Sequence, residues 1–256
     1  MLDRVLLTND DGIDAPGMAI MEAIAAEIAR EVWVVAPEHD QSGQSHAISL
    51  HHALRVNDRG GRRFAVTGTP GDCAAMGICH VMKDCLPDLV LSGVNRGLNL
   101  GKETVFSGTV GGAMTAMMLG VPALALSQGY TDRKNVSWDS SRKLGAATIE
   151  RLLAMGWGKD AILNINFPAC SAEDAGEMTL ARQGAGIIAG MHVETRTDPR
   201  GMQYHWLNFH RSNRAQGPES DYTAHRAGRI VVTPLRYDRT DEDAYAELAG
   251  KLPRLL

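Results

Sequence analysis

Two aspartates stand side by side, Asp10 and Asp11, in LLTNDDGIDAPG, directly after an apolar run. A turn needs only one Asp or Asn, for a side-chain bond to the backbone, and two adjacent carboxylates repel. Either the pair is a strand-to-helix turn with its helix cap, or it gathers a cation. By itself a doubled Asp after a strand favours the turn. Two other loops shift the balance: HDQSGQS around Ser42 and SGVNRG around Asn95, each following a strand-like run. Two carboxylates, a hydroxyl and an amide carbonyl are hard oxygen ligands. They suit Mg²⁺ or Mn²⁺, completed by waters and a phosphate. In a fourth loop, FSGTVGGAM at 106–114, Ser107, Gly108 and Thr109 precede a helix. Backbone N–H groups and hydroxyls at such a start can face an anion, and small residues let a phosphate approach. It is not a Walker A loop, since no Gly-Lys-Ser/Thr follows. GLNLG at 97–101 adds flexible backbone and the amide of Asn99.

These loops can meet only if their strands point the same way. Val5–Thr8, EVWVVAP at 31–37, PDLVLSG at 87–93, VPALALS at 121–127 and AILNINFP at 161–168 are apolar runs of strand length. Such unbroken runs fit a parallel sheet covered on both faces. Helices are expected between them: from Pro16, over 71–82 with Asp72 as N-cap, over 108–120 and over 139–155. RVNDRGGRRFAV at 55–66 predicts a hairpin around Gly60-Gly61. The rhythm implies a doubly wound α/β sandwich with right-handed crossovers. In open α/β sheets ligands bind beyond the carboxyl ends of the strands, which is where Asp10-Asp11, Ser42 and Asn95 fall. After about residue 175 the pattern changes. HVETRTDPRGMQYHWLNF at 192–209 predicts two strands around Asp198-Pro199-Arg200-Gly201. A polar loop, a strand at 228–235 and a helix from Asp241, with Ala244, Leu248 and Leu252 on one face, complete the chain. The reading is a single domain, 1–256, with a catalytic core over 1–175 and a hairpin-and-helix extension over 176–256.

The 256 residues are 44% hydrophobic, enough for an ordinary core. A net charge of −4 and a pI near 6.1 give no basic field to attract a nucleic-acid polymer. No apolar run approaches the roughly 20 residues that span a bilayer, and the N-terminus lacks the basic and apolar regions of a signal peptide. Cys73, Cys79, Cys85 and Cys170 show no CxxC spacing and are expected as buried, reduced thiols of a cytosolic protein. GAGIIAG at 184–190 has the wrong spacing for a dinucleotide fingerprint and reads as strand and turn. His39 and His46 flank Ser42 and offer a substrate contact or a proton for a leaving group, although solvated loop histidines are commoner. His51-His52 reads as surface, and Met114, Met117 and Met118 as core. No G-x-S-x-G elbow is present. A response-regulator receiver also places an acidic pair after strand one and often reads PDLV later. Where it carries its acceptor aspartate, this chain has Ser92 and Gly93. A metal-dependent phosphohydrolase fits better; a nucleotide-binding sensor without catalysis stays open, and phosphate release separates the two.

In order, LLTNDDGIDAPG, VVAPEHDQSGQSHAIS, VTGTPGDC, PDLVLSGVNRGLNLG and FSGTVGGAM resemble the successive motifs of the SurE family of 5′/3′-nucleotidases. The likeness continues through ILNINFP, RTDPRG…YHWL and IVVTPLRYDRTD, over nearly the whole chain. The resemblance implies a Rossmann-like three-layer sandwich with a mostly parallel sheet, and one Mg²⁺ or Mn²⁺ per subunit. It implies hydrolysis of nucleoside 5′- and 3′-monophosphates by metal-activated water, with short polyphosphate as a further substrate, in the cytoplasm. It also implies a homodimer, in some members a tetramer, built through the C-terminal hairpins and helix. Carried over by motif, the metal ligands are Asp10, Asp11, Ser42 and Asn95, with Asp10, Asp11 and Asn95 catalytic. Asn9, Ser42, Asn99, Ser107, Gly108 and Thr109 fall on substrate contacts. The chain departs from the family pattern at Glu38-His39-Asp40, at Gly71 and at GPESD, 217–221. Those departures put base preference and 3′- versus 5′-preference in doubt. No convincing nucleophilic side chain is present, so direct attack by water is expected, with the Ser107–Thr109 helix start stabilising the equatorial oxygens.

Overall fold

In the computed structural model, which describes residues 1–252, the apolar runs become strands and the loops between them carry helices. The chain runs β1 (Leu2–Thr8), α1 (Pro16–Ile28), β2 (Ala29–Pro37), β3 (Val56–Asp58), β4 (Arg63–Val66), α2 (Pro70–Met76), β5 (Leu89–Arg96) and α3 (Gly108–Met118). It continues through β6 (Ala123–Gln128), α4 (Asp139–Met155), β7 (Ile162–Phe167), β8 (Gly176–Leu180), β9 (Ile188–Thr197), β10 (Gln203–Arg211), α5 (Asp221–Arg226), β11 (Arg229–Leu235) and α6 (Glu242–Ala249). Nine strands form one sheet in the order β3-β4-β2-β1-β5-β6-β7-β11-β8. From β4 to β7 every neighbouring pair is parallel. From β1 the chain moves one way to β2 and β4, then crosses to β5, β6 and β7 on the other side. The reversal lies between β1 and β5, and open α/β sheets bind their ligands beyond the carboxyl ends of the strands at such a point.

Side chains alternate across each strand. Val5 and Leu7 pack with Met18, Met21 and Ile24 of α1 and with Ile149 and Leu152 of α4. Leu6, between them, packs on the other face with Cys73 of α2 and with Val110, Ala113 and Met114 of α3. The expected three-layer, mostly parallel sandwich therefore forms, with helices on both faces.

Several local expectations are corrected. The first helix after β4 begins at Pro70, and its N-cap is Thr69, not Asp72. Asp72 is the third helical residue; its carboxylate accepts from Thr69 N (2.9 Å) while its own N–H donates to Thr69 Oγ1 (3.1 Å), a reciprocal capping box. The α-helix stops at Met76 and gives way to a π-type turn over Gly77–Val81. Only Cys73 of the four cysteines is buried, and Cys79 is exposed. Met114 is buried, but Met118 at the helix end is 70% exposed. Beyond residue 175, β11 pairs antiparallel with β7 and parallel with β8, extending the main sheet. β9 and β10 form a separate antiparallel ribbon around the expected turn. No helix among the described residues is long and apolar enough to cross a membrane.

Candidate active site

Within NDDG the turn is made by Asn9. Its Nδ2 donates to Gly12 O (2.7 Å), its Oδ1 accepts from Gly12 N (3.2 Å), and the side chain is wholly buried. Nor is an aspartate spent on the helix that follows. The N-cap of α1 is Ala15, with no side-chain cap, and Pro16 opens the helix. Asp10 and Asp11 are thus free of both structural duties.

Asp10 is 4% exposed. One oxygen accepts from Thr109 Oγ1 at 2.7 Å. Burial pushes its carboxyl up to about 7; the Thr109 hydrogen bond opposes this, and the charge of Asp11 adds to it. Asp11 accepts from Arg96 N at 3.1 Å. Burial raises it as well, against the favourable Arg96 N–H and guanidinium, with Asp40 raising it and Arg133 lowering it. Among the described residues neither aspartate forms an ion pair.

The other loops are tied to this pair. Gln41 N donates to Asp10 O (2.8 Å), which brings the loop after β2 to the aspartates. Ser42 follows, held only through its N–H on Asp40 Oδ1 (2.8 Å), and is exposed. β5 shifts register against β6 between Ser92 and Asn95, and beyond the shift its Arg96 N–H reaches Asp11. Asn95 spends its Nδ2 on Gly97 O (2.9 Å) and keeps its carbonyl oxygen without a donor. At the start of α3, a Cβ on Gly108 would stand 2.8 Å from Asp10 Cβ and 3.0 Å from Asp10 Oδ2. Only glycine lets that helix end reach the carboxylate.

The expected phosphate contacts fare differently. Ser107 Oγ accepts from Val110 N (3.1 Å) as the cap of α3, leaving its hydroxyl hydrogen to point elsewhere. Thr109, expected to aim its hydroxyl and N–H at a phosphoryl group, gives its hydroxyl to Asp10. The reason is electrostatic. A helix start favours negative charge, and the buried carboxylate is the anion already there. Asn99 donates its Nδ2 to Ser127 Oγ (2.8 Å). Its backbone N–H and C=O are gripped by Asn166 (2.8 and 3.0 Å) and Asn164 (2.7 Å) of β7. Asn164 and Asn166 are residues the sequence reading missed. Their signal is present: two amides at alternate positions of a buried strand, ILNINF, must find polar partners. Arg96 and Arg133 beside Asp11 were missed too; Arg96 lies inside the SGVNRG motif. Of the two loop histidines, His39 is exposed. His46 is partly buried against Tyr237, with ring centroids 5.2 Å apart.

Among the described residues no three His, Cys, Asp or Glu gather as metal ligands. A cation at this edge would have to be held by two carboxylates and neutral oxygens. The donor chemistry fits that. Two carboxylates without an ion pair, one deeply buried, are joined by an amide carbonyl and a hydroxyl with no other donor. All are hard oxygens suited to Mg²⁺ or Mn²⁺.

A family model described as survival protein SurE matches residues 5–189. A Burkholderia lata protein named 5′-nucleotidase SurE 1 is 55% identical over 252 residues, covering 98% of this chain and 97% of that one. A Nitrobacter winogradskyi protein named 5′-nucleotidase SurE is 46% identical, covering 97% and 99% of the two chains. The crystal structure of a SurE protein from Aquifex aeolicus superposes with a TM-score of 0.82 at 31% identity, over 97% of this chain and 99% of that one.

Proposed function

The chain belongs to the SurE family, and on that premise we propose that it is a phosphoric monoester hydrolase cleaving nucleoside 5′- and 3′-monophosphates to nucleoside and phosphate, dependent on one Mg²⁺ or Mn²⁺ per subunit. The observation that carries the metal reading is the division of labour in NDDG. Asn9 closes the turn and Pro16 starts the helix, so neither of the two repelling carboxylates is spent on the turn or on the helix cap.

Asp10, Asp11, Asn95 and Ser42 would hold the cation. When bound, it supplies a Lewis acid that polarises a phosphoryl oxygen and acidifies water. Thr109 fixes the Asp10 carboxylate by its hydroxyl, and the Arg96 N–H fixes Asp11. Arg96 and Arg133 bring positive charge beside Asp11, where a phosphate would gather it. The Gly108 N–H at the start of α3 and the Ser107 hydroxyl hydrogen would meet the equatorial oxygens. An oxygen of Asp10 or Asp11 can take the proton of the attacking water. Asn164 and Asn166 hold the backbone of the Asn99 loop in place.

The same proposal includes a homodimer. The β9–β10 ribbon exposes Tyr204 (41%), Trp206 (57%), Leu207 (67%) and Phe209 (38%), and a lone two-stranded ribbon is only marginally stable. A cytoplasmic location is supported by four unpaired cysteines. The test is phosphate release from a panel of 5′- and 3′-monophosphates and short polyphosphate, after dialysis against EDTA and re-addition of Mg²⁺ or Mn²⁺. Activity that returns only with the cation is expected. Full activity in excess EDTA overturns the metal reading, and no release from any monophosphate with either cation overturns the hydrolase reading.

A further inference from the structure

His46, singled out beside Ser42, does not open toward Asp10. It lines a separate cavity of about 410 Å³ between α3, the segment before it and the chain just past β11. Asp10, Asp11, Ser42 and Asn95 do not line it. The charged groups around the space are Lys102, Arg236, Arg239 and Asp238. Three cations thus face one carboxylate. Asp238 lies 3.9 Å from Arg236, and among the described residues neither Lys102 nor Arg239 has an ion-pair partner. Cations gathered round one concavity repel unless an anion lies among them.

His46 lines the same space. Its Nε2 is shut off from solvent and, among the described residues, has no hydrogen-bond partner. The ring is fixed on its other side. Ser45 gives its hydroxyl hydrogen to Val105 O, so the Ser45 oxygen is left to accept from His46 Nδ1, 3.4 Å away. The backbone there is pressed onto α3, because a Cβ on Gly111 would stand 2.0 Å from Ser45 O. Burial and the nearby Arg239 guanidinium both hold the ring's pKa down.

We propose that this cavity is a second anion site, which takes a phosphate group carried by inorganic phosphate or by a nucleoside monophosphate. Phosphate oxygens neutralise Lys102, Arg236 and Arg239, and the His46 ring, which lines the same space, reports whether the site is occupied. The volume lies within the usual range of small-ligand sites, and Val110, Met114 and Leu235 give it an apolar wall that can take more than a bare anion. The site does not depend on hydrolysis at Asp10 and Asp11.

The test follows the His46 ring resonances by NMR while inorganic phosphate is titrated into the whole chain in EDTA, with ionic strength held constant by chloride. A saturable shift is expected. It should weaken by about tenfold or more when Lys102→Ala and Arg239→Ala are combined, as removal of charge-assisted bonds does. It should persist in Asp10→Asn, which separates this site from the candidate active site. Adenosine should give no shift and AMP should give one. An AMP affinity above that of phosphate names the nucleotide as the ligand, and an equal affinity names the phosphate group alone. A shift that chloride reproduces, one that never saturates, one that the double variant leaves at full affinity, or one lost in Asp10→Asn overturns the proposal.

Discussion

Replacing Asp10 by Asn should stabilise the metal-free protein, and by an amount the structure sets. The Asp10 carboxyl is raised from 3.8 to about 7, chiefly by burial. A carboxyl whose folded pKa lies above its unfolded value costs nothing below pH 3.8. The cost grows as pH rises from there to about 7 and is complete above it. At about 1.4 kcal/mol per pH unit, the charge destabilises the empty protein by about 4 kcal/mol at pH 8 and about 1 kcal/mol at pH 4.5. The asparagine amide removes the charge and can still accept from Thr109, but it buries an NH₂ without a partner, which costs about 1–3 kcal/mol. The net expectation in EDTA is a gain of about 1–3 kcal/mol at pH 8, or about 2–10 °C in Tm, falling to zero or below at pH 4.5. Mn²⁺ reverses the order. At a hundred times Kd it stabilises wild type by about 2.7 kcal/mol, while the variant loses both this shift and phosphatase activity. Asp11→Asn should follow the same pattern with a smaller gain, because Asp11 is less buried. Calorimetry at the two pH values, with and without metal, reads all of this. An Asp10→Asn protein that is less stable than wild type in EDTA at pH 8, yet hydrolyses AMP at near wild-type rate, would show the carboxylate to be structural.

Three further outcomes are expected. Thr109→Val keeps the shape of the α3 start and removes the hydroxyl on Asp10; kcat/KM for a nucleoside monophosphate should fall by about 1–3 kcal/mol in barrier terms, and unchanged kinetics would mean that Asp10 needs no fixing there. Asp72→Ala removes the acceptor of Thr69 N, Ser49 N and Ser49 Oγ inside a 2% exposed site, so urea unfolding should show a loss of about 3 kcal/mol with little change in KM, and a loss under about 1 kcal/mol would mean that these bonds hold little of the fold. Trp206→Asp with Phe209→Ser should turn a dimer into a monomer by light scattering at micromolar concentration without changing the far-UV circular dichroism; a wild type that is itself monomeric removes the basis of the ribbon interface.

The sheet from β1 to β7 is legible because each strand is a continuous apolar run ended by Gly, Pro or a polar loop, and β1, β2 and β5 must then deliver Asp10, Ser42 and Asn95 to one edge. The far side of the sheet is less so. β8 is five residues of mixed polarity, and β11 enters between β7 and β8 from more than 60 residues beyond β7, a pairing no local pattern encodes. Thr69-Pro70-Gly71-Asp72 could have been read as a capping box in which Asp takes the place of Glu; reading Asp72 as the cap itself ignored that Pro70 favours the first helical position.

The site itself turns on donor count. Asn9 and Asp10 are both good turn residues by propensity, yet closing this turn requires one group that accepts from Gly12 N and donates to Gly12 O. A carboxylate has no hydrogen to donate, whereas an amide has both functions. In Asn-Asp-Asp-Gly the turn therefore belongs to the amide, and neither carboxylate is needed to close it. Thr109 lacks such a rule. A helix start with small residues and a hydroxyl is equally suited to a phosphate or to a carboxylate of the same chain, and the choice is made by Gly108, whose missing Cβ lets Asp10 come within reach. The carboxylate that Thr109 holds is in turn the one that burial leaves most in need of a cation. That dependence ties the helix start to the aspartate pair, so in the proposed mechanism the start of α3 would support the cation site as well as face the phosphate.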